Sequence, residues 1–132
     1  MSRKILITGS SRGIGAAIAR LAKKKGYDVL LHGKTISPSL VSIAEEINSK
    51  YIIFDVSNEN EVINALSDID CIDVLINSAG INISKSFEDL SNKDWKDIYD
   101  INVFGLANVT KHVIPIMKGS EFVGKIINIA SV

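Results

Sequence analysis

Residues 5–15 read ILITGSSRGIG, a short apolar segment that runs directly into a glycine-rich turn. Apolar residues at helical spacing begin at Ile14, so this stretch predicts a buried strand, a glycine-rich loop and a helix, in that order. The backbone N–H groups of such a loop, together with the helix N-terminus, can face a pyrophosphate. A nucleotide is therefore the first ligand that this sequence suggests.

The alternation of apolar segments and helical patterns continues along the chain. Strands are predicted at Ile5–Thr8, Asp28–His32, Tyr51–Phe54, Asp73–Ile76 and Lys125–Ala130. Helices are predicted at residues 14–25, 37–47, 57–69 and 91–117, and Pro115 is expected to end or bend the last one. Strands separated by helices form a parallel α/β sheet, and right-handed crossovers give the doubly wound, Rossmann-type order 3-2-1-4-5. We expect one domain over residues 1–132, incomplete before a sixth strand.

The spacing of apolar residues supports the first predicted helix. The apolar residues at helical spacing are Ile14, Ile18, Leu21 and Ala22, which extend the helix as far as Lys25.

Two polar, glycine-bearing segments follow the first and fourth predicted strands. They are residues 9–15 and residues 77–80. Ligands of doubly wound sheets bind where the strand order reverses, outside the carboxyl ends of those two strands. The two segments are thus expected to converge on one crevice.

The amino-acid composition excludes several kinds of partner and ligand. The 132 residues carry 15 Lys and Arg against 15 Asp and Glu, and one cysteine. With no basic block we expect no nucleic-acid partner, and a single cysteine excludes an internal disulfide and a cysteine-based zinc site, so we assign no metal ligand. The first apolar segment is too short for a signal peptide or a membrane span, which predicts a soluble, cytoplasmic protein.

Five motifs occur together and in order. They are Thr8-Gly9-x-x-x-Gly13-Ile14-Gly15, Asp55-Val56, Asn77-Ser78-Ala79-Gly80, Asn102 and Ile126-Ile127-Asn128-Ile129-Ala130-Ser131. As a set they resemble the short-chain dehydrogenases/reductases, most of all members such as the 3-oxoacyl-(acyl carrier protein) reductases. Serine at position 78 departs from the commoner Asn-Asn-Ala-Gly.

The resemblance implies an NAD(P)(H) site on these motifs. The residues that would bind the cofactor are Gly9, Ser11, Arg12, Gly13, Ile14, Gly15, Lys34, Asp55, Val56, Asn77, Ala79 and Gly80. The alternative for Asp55 is a helix cap after the third strand.

The end of the second strand bears on the choice of cofactor. It reads Leu31-His32-Gly33-Lys34, without the carboxylate that would bind a ribose 2′-hydroxyl and repel a 2′-phosphate. Arg12 and Lys34 supply cations instead, which favours NADP(H) over NAD(H). Alternatively, Lys34 is a solvated surface lysine. His32 is expected to pack rather than to bind the ligand.

The resemblance also implies a catalytic role for Asn102, which would hold a water of the proton relay, and for Ser131, which would bind the substrate oxygen. A solvent-exposed asparagine and a turn serine are the alternatives. The family's general acid/base, the tyrosine of Tyr-x-x-x-Lys, has no counterpart, because Leu31, Asp55 and Val103 stand four residues after the three tyrosines.

The resemblance thus predicts the cofactor-binding half of a reductase that transfers hydride between nicotinamide and a carbonyl or alcohol carbon. We expect this polypeptide alone to be inactive and the whole protein to be a homo-oligomer. The rival hypotheses are a short protein that binds a nucleotide or a partner chain without catalysis, and a chain whose uncovered fifth strand prevents stable folding.

Overall fold

A computed structural model describes residues 2–131 and contains one parallel sheet. Its five strands are β1 (Lys4–Ile7), β2 (Asp28–Gly33), β3 (Lys50–Ile53), β4 (Val74–Asn77) and β5 (Lys125–Asn128). The spatial order is β3-β2-β1-β4-β5, with all four pairings parallel. The predicted Rossmann-type order is therefore confirmed.

Helices cover both faces of the sheet. They are α1 (Gly13–Lys24), α2 (Pro38–Glu46), α3 (Glu59–Leu66), α4 (Asn92–Tyr99) and α5 (Leu106–Lys118). One buried cluster joins α1 and α2 to the sheet through residues such as Ile7, Leu31 and Leu40. A second joins α3 and α5 to the other face through Leu6, Val62 and Val113. The two layers fix the ends of the strands around the crevice.

The face of α1 that packs on the sheet consists of small residues. Ile14 and Leu21 are 61% and 55% exposed, whereas the buried residues are Gly15, Ala16, Ala19 and Ala22. Small side chains let the helix axis lie close to the sheet, and this contact fixes the face more strongly than the count of large apolar residues. Ile14 thereby becomes available to the crevice.

The predicted helix over 91–117 is interrupted. Residues Asp100–Gly105 form a π-helical segment between α4 and α5. A capping box of Ser91 and Asp94 starts α4. Pro115 does not end the helix, because α5 continues past it for three residues to Lys118.

The fifth strand forms one edge of the described sheet. All of Lys125–Asn128 is exposed, although β5 keeps full parallel register with β4. This strand stops two residues before the predicted end at Ala130, and Ser131 follows beyond it.

Candidate functional site

The glycine-rich loop is held against the segment that follows β4. Thr8 is buried at the end of β1, and its Oγ1 accepts hydrogen bonds from the N–H groups of Ser78 (3.0 Å) and Ala79 (3.1 Å). The N–H of Thr8 donates to the carbonyl of Ile76 at 3.0 Å. The two predicted segments therefore meet at one edge of the sheet, as the strand order requires.

Two glycines make close contacts that a side chain would prevent. Gly9 has a φ of +60°, and a Cβ there would lie 2.7 Å from Cα of Ala79. A Cβ on Gly15 would lie 2.3 Å from the carbonyl oxygen of Gly9. The loop is thus packed by backbone contact against both α1 and the segment after β4.

Gly13 differs from these two glycines because it faces open space. Its φ is +60°, and no heavy atom lies within 4 Å of a Cβ placed there, as far as residues 2–131 go. It begins α1, and the side chain of Arg12 makes no capping hydrogen bond to the first amides of that helix within the described chain. Uncapped helix amides beside open space fit an anionic group such as a pyrophosphate.

The open space belongs to a cleft of about 430 Å³ at the carboxyl edge of the sheet. Eleven of the fourteen predicted site residues line it, namely Gly9, Ser11, Arg12, Gly13, Ile14, Gly15, Lys34, Asp55, Val56, Ala79 and Gly80. Sequence reasoning missed the other lining residues, which are His32, Gly33, Phe54, Ser78, Ile81, Ile101 and Ile129. Ser78 and Ile129 belong to the quoted motifs but were not assigned to the site, and the remaining residues lie outside those motifs.

The end of the cleft near β2 and β3 carries a charged pair. Lys34 Nζ lies 3.7 Å from Asp55 Oδ2, and the lysine side chain is 69% exposed. Asp55 Oδ1 also accepts from the N–H and the hydroxyl of Ser57, at 2.9 and 2.7 Å. Partial burial raises the pKa of Asp55, but these hydrogen bonds and the Lys34 ammonium outweigh it and hold the pKa below its usual value. Asp55 is therefore anionic at neutral pH.

Contacts from α5 and the π-helical segment fix the position of Val56, which lines the cleft next to Asp55. Asn108 Nδ2 donates to the carbonyl oxygen of Val56 at 3.0 Å. A Cβ on Gly105 would lie 2.5 Å from Val56 Cγ2, so only glycine allows this approach. Val56 is buried in consequence, and its position follows from that of α5.

Three predicted site residues lie outside the cleft lining. Buried Asn77 donates through Nδ2 to Thr110 Oγ1 and Asn128 Oδ1, both at 3.0 Å, and thereby ties β4 to α5 and β5. Asn102 lies in the π-helical segment, where its amide exchanges two hydrogen bonds with the backbone of Ile81, at 2.8 and 2.9 Å. Ser131 is exposed at the carboxyl end of the sheet.

No helix within residues 2–131 has the length and apolar character to cross a bilayer. In the same part of the chain, no group of three or more His, Cys, Asp or Glu side chains could hold a metal ion. The candidate functional site is the cleft at the carboxyl ends of the strands.

Comparison with known proteins assigns the family. The model of the short chain dehydrogenase family matches residues 3–132. The chain belongs to this family, and its class is that of the short-chain dehydrogenase/reductase oxidoreductases. The family predicted from the motifs is confirmed.

Individual relatives are similar along almost the whole chain. Gluconate 5-dehydrogenase of Gluconobacter oxydans (strain 621H) is 37% identical over 142 residues, covering 98% of this chain and 53% of that protein. The 3-oxoacyl-[acyl-carrier-protein] reductase of Aquifex aeolicus (strain VF5) is 35% identical over 137 residues, covering 96% and 54%. The chain thus spans about half the length of the curated relatives that it matches.

Solved structures show the same fold. The closed form of serine dehydrogenase complexed with NADP+ has a TM-score of 0.87 and 29% identity, covering 98% of this chain and 54% of that one. Gluconate 5-dehydrogenase from Burkholderia cenocepacia J2315, in complex with NADP and tartrate, has a TM-score of 0.86 and 29% identity, covering 99% and 55%.

Proposed function

We propose that residues 1–132 form a dinucleotide-binding domain that holds NADP(H) in the cleft, with NAD(H) as the weaker ligand. The observation that carries this proposal is the open, uncapped N-terminus of α1 at Gly13. The pyrophosphate would lie against the amides of residues 11–15, with Ser11 and Ile14 beside it. Ala79 and Gly80 would form the opposite wall, since they line the same cleft.

The adenine end would lie against Asp55 and Val56. Lys34 and Arg12 would bind a 2′-phosphate, because both are cations that line the cleft. Asp55 holds the Lys34 ammonium near the cleft and leaves most of its donors available. Two of the structural relatives were solved with NADP, which agrees with this assignment.

In the whole protein, we assign the reaction as hydride transfer between the cofactor and a carbonyl or alcohol carbon of a small molecule. NADP(H) supplies or accepts the hydride when bound. Ser131 would donate a hydrogen bond to the substrate oxygen and so stabilise the charge that develops there. Asn102 would act in the proton relay while its side chain fixes Ile81, and Asn77 would keep β4 and β5 in register beneath the site.

The test of the cofactor assignment compares two lysines. Lys34→Ala removes the proposed phosphate contact. Lys50→Ala makes the same charge change at the start of β3, which is the end of the strand away from the cleft. Losing one exposed charge-assisted contact raises the NADPH dissociation constant about five- to tenfold. Calorimetric titration should show this rise for Lys34→Ala only, with the NADH constant unchanged. A wild-type preference for NADH, or an equal loss of both cofactors, would contradict the assignment.

A second candidate is nucleotide binding without catalysis. It is favoured by the absence of Tyr-x-x-x-Lys from the 132 residues. Losing a positioned general acid lowers a rate on the order of 10²–10⁴-fold. We therefore expect this polypeptide to bind NADPH but to give no steady oxidation of it with acetoacetyl-CoA, and no reduction of NADP+ with gluconate. Turnover by the isolated polypeptide would refute this second candidate.

We further propose that the whole protein is a homo-oligomer through the surface of α4 and the π-helical segment. Trp95, Tyr99, Val103 and Phe104 are exposed there, between 38% and 57%. Large apolar side chains gathered on one helical surface are typical of an interface. Sedimentation analysis of wild type and Phe104→Glu would test this, and equal masses for the two would argue against the surface.

A further inference from the structure

His32 makes more contacts with the glycine-rich loop than its predicted packing role requires. The backbone of His32 exchanges two hydrogen bonds with Ser10. The N–H of His32 donates to Ser10 Oγ at 2.8 Å, and its carbonyl accepts from the N–H of Ser10 at 3.0 Å. The imidazole adds a third link, because its Nδ1 lies 3.0 Å from the N–H of Gly9.

The other ring nitrogen decides which form of imidazole is present. His32 Nε2 lies 2.7 Å from the carbonyl oxygen of Phe54. A carbonyl can only accept, so Nε2 carries the hydrogen, and Nδ1 is left with the lone pair that accepts the Gly9 N–H. The geometry therefore requires the neutral Nε2–H tautomer, assigned here from the hydrogen-bond partners.

The surroundings of the ring support the neutral form. His32 is 2% exposed and its ring lies 4.1 Å from that of Phe54, centroid to centroid. Burial lowers the pKa of His32 to about 4, although the hydrogen bond to Phe54 and the nearby Asp55 carboxylate oppose this change. Lys34, the other charged group at this end of the cleft, is paired with Asp55.

We propose that His32 is a positioning residue of the nucleotide site, because its Nδ1 fixes the Gly9 amide of the loop. This inference rests on the proposed nucleotide binding. Gly9 has the positive φ that starts the loop, so Nδ1 holds the loop where it begins, and the bond from Nε2–H to Phe54 leaves Nδ1 as the acceptor. His32 touches no reacting atom in this role.

A pair of amide variants separates the two bonds of the ring. In asparagine the amide lies at the distance of Nδ1 from the backbone, so His32→Asn keeps an acceptor for Gly9 and loses the donor to Phe54. In glutamine the amide lies at the distance of Nε2, so His32→Gln keeps the donor and loses the acceptor. Loss of an acceptor that orients a binding loop lowers affinity about tenfold.

The experiment is titration of wild type and both variants with NADPH, alongside urea unfolding of each. We expect His32→Gln to bind about tenfold more weakly and His32→Asn to stay within about threefold of wild type, even where the two are equally destabilised. Equal losses of affinity, or none, would show that His32 is only a core residue and overturn the proposal. A wild type that binds no dinucleotide would instead refute the proposed function.

A second measurement does not depend on whether either variant folds. In wild type labelled with ¹⁵N, the hydrogen bond should give a scalar coupling across N–H···N between the Gly9 amide and His32 Nδ1. We expect Nδ1 to show the chemical shift of an unprotonated nitrogen and Nε2 that of a protonated one. The reverse pattern of shifts would overturn the proposal, as would a missing coupling.

Discussion

Gly15→Ala should loosen the loop from α1. The new Cβ would lie 2.3 Å from the Gly9 carbonyl oxygen and 3.0 Å from Cα of Ser10. Both neighbours are backbone atoms, so no side chain can rotate away. Since non-bonded heavy atoms prefer about 3.5–4.0 Å, the loop must move by roughly 1 Å.

The magnitude follows from two opposing effects. Overpacking of a filled site destabilises by about 1–3 kcal/mol, and contact with backbone places this substitution in the upper part of that range. Against this, alanine within a helix stabilises the folded state by about 0.5–1 kcal/mol relative to glycine. We expect the free energy of unfolding to fall by about 1–2 kcal/mol. Nucleotide affinity should fall further, because the displaced amides belong to the binding loop.

The assay is urea unfolding with NADPH titration on three variants. Gly119→Ala is the matched control, because the nearest atom to its Cβ, the carbonyl oxygen of Ile116, lies 3.5 Å away and its backbone is not left-handed. Gly13→Ala differs from both, since its Cβ meets no described atom and enters the cleft, and its φ of +60° adds backbone strain in place of a steric clash. If Gly15→Ala behaves like Gly119→Ala in both measurements, the close contact between the loop and α1 is not what fixes the site.

Two further outcomes follow from buried polar contacts. Thr8→Val removes the acceptor for the Ser78 and Ala79 amides, so unfolding in urea should show a loss of about 1–3 kcal/mol, and the exposed Thr35→Val should show almost none. For His32, the folded pKa of about 4 lies below the unfolded 6.5, so the unfolded state takes up the proton first as pH falls. The free energy of unfolding should therefore fall by about 3 kcal/mol as the pH is lowered from 6.5 to 4, and by less in His32→Asn. A free energy of unfolding that rises as the pH is lowered would refute the assignment.

The sequence predicts the strand order and most of the cleft because both follow from strong local rules. Right-handed crossovers leave few orders for a parallel sheet, and the positive φ values at Gly9 and Gly13 require glycine. The carboxyl ends of β1 and β4 then bring residues 9–15 and 77–80 together. These rules need no knowledge of side-chain packing.

What the sequence does not predict depends on packing. The buried face of α1 follows its alanines, which a count of large apolar residues overlooks. The π-helical segment leaves no mark in apolar spacing, and it coincides with the close approach of Gly105 to Val56. The role of His32 depends on contacts 22 and 23 residues away in sequence, with Phe54 and Gly9, which periodicity cannot reveal.

The contacts around the loop share one physical consequence. Its amides are fixed from three directions, by α1 through Gly15, by the segment after β4 through Thr8, and by β2 through His32. A loop held in this way presents its N–H groups before a ligand arrives, so binding need not order the backbone, which otherwise opposes association by about 1–2 kcal/mol per residue. The affinity of the cleft for a dinucleotide should therefore depend on how the loop is held as well as on direct contacts. Thr8 and Gly15 belong to the glycine-rich motif that marked the binding site, whereas His32 belongs to none of the five motifs.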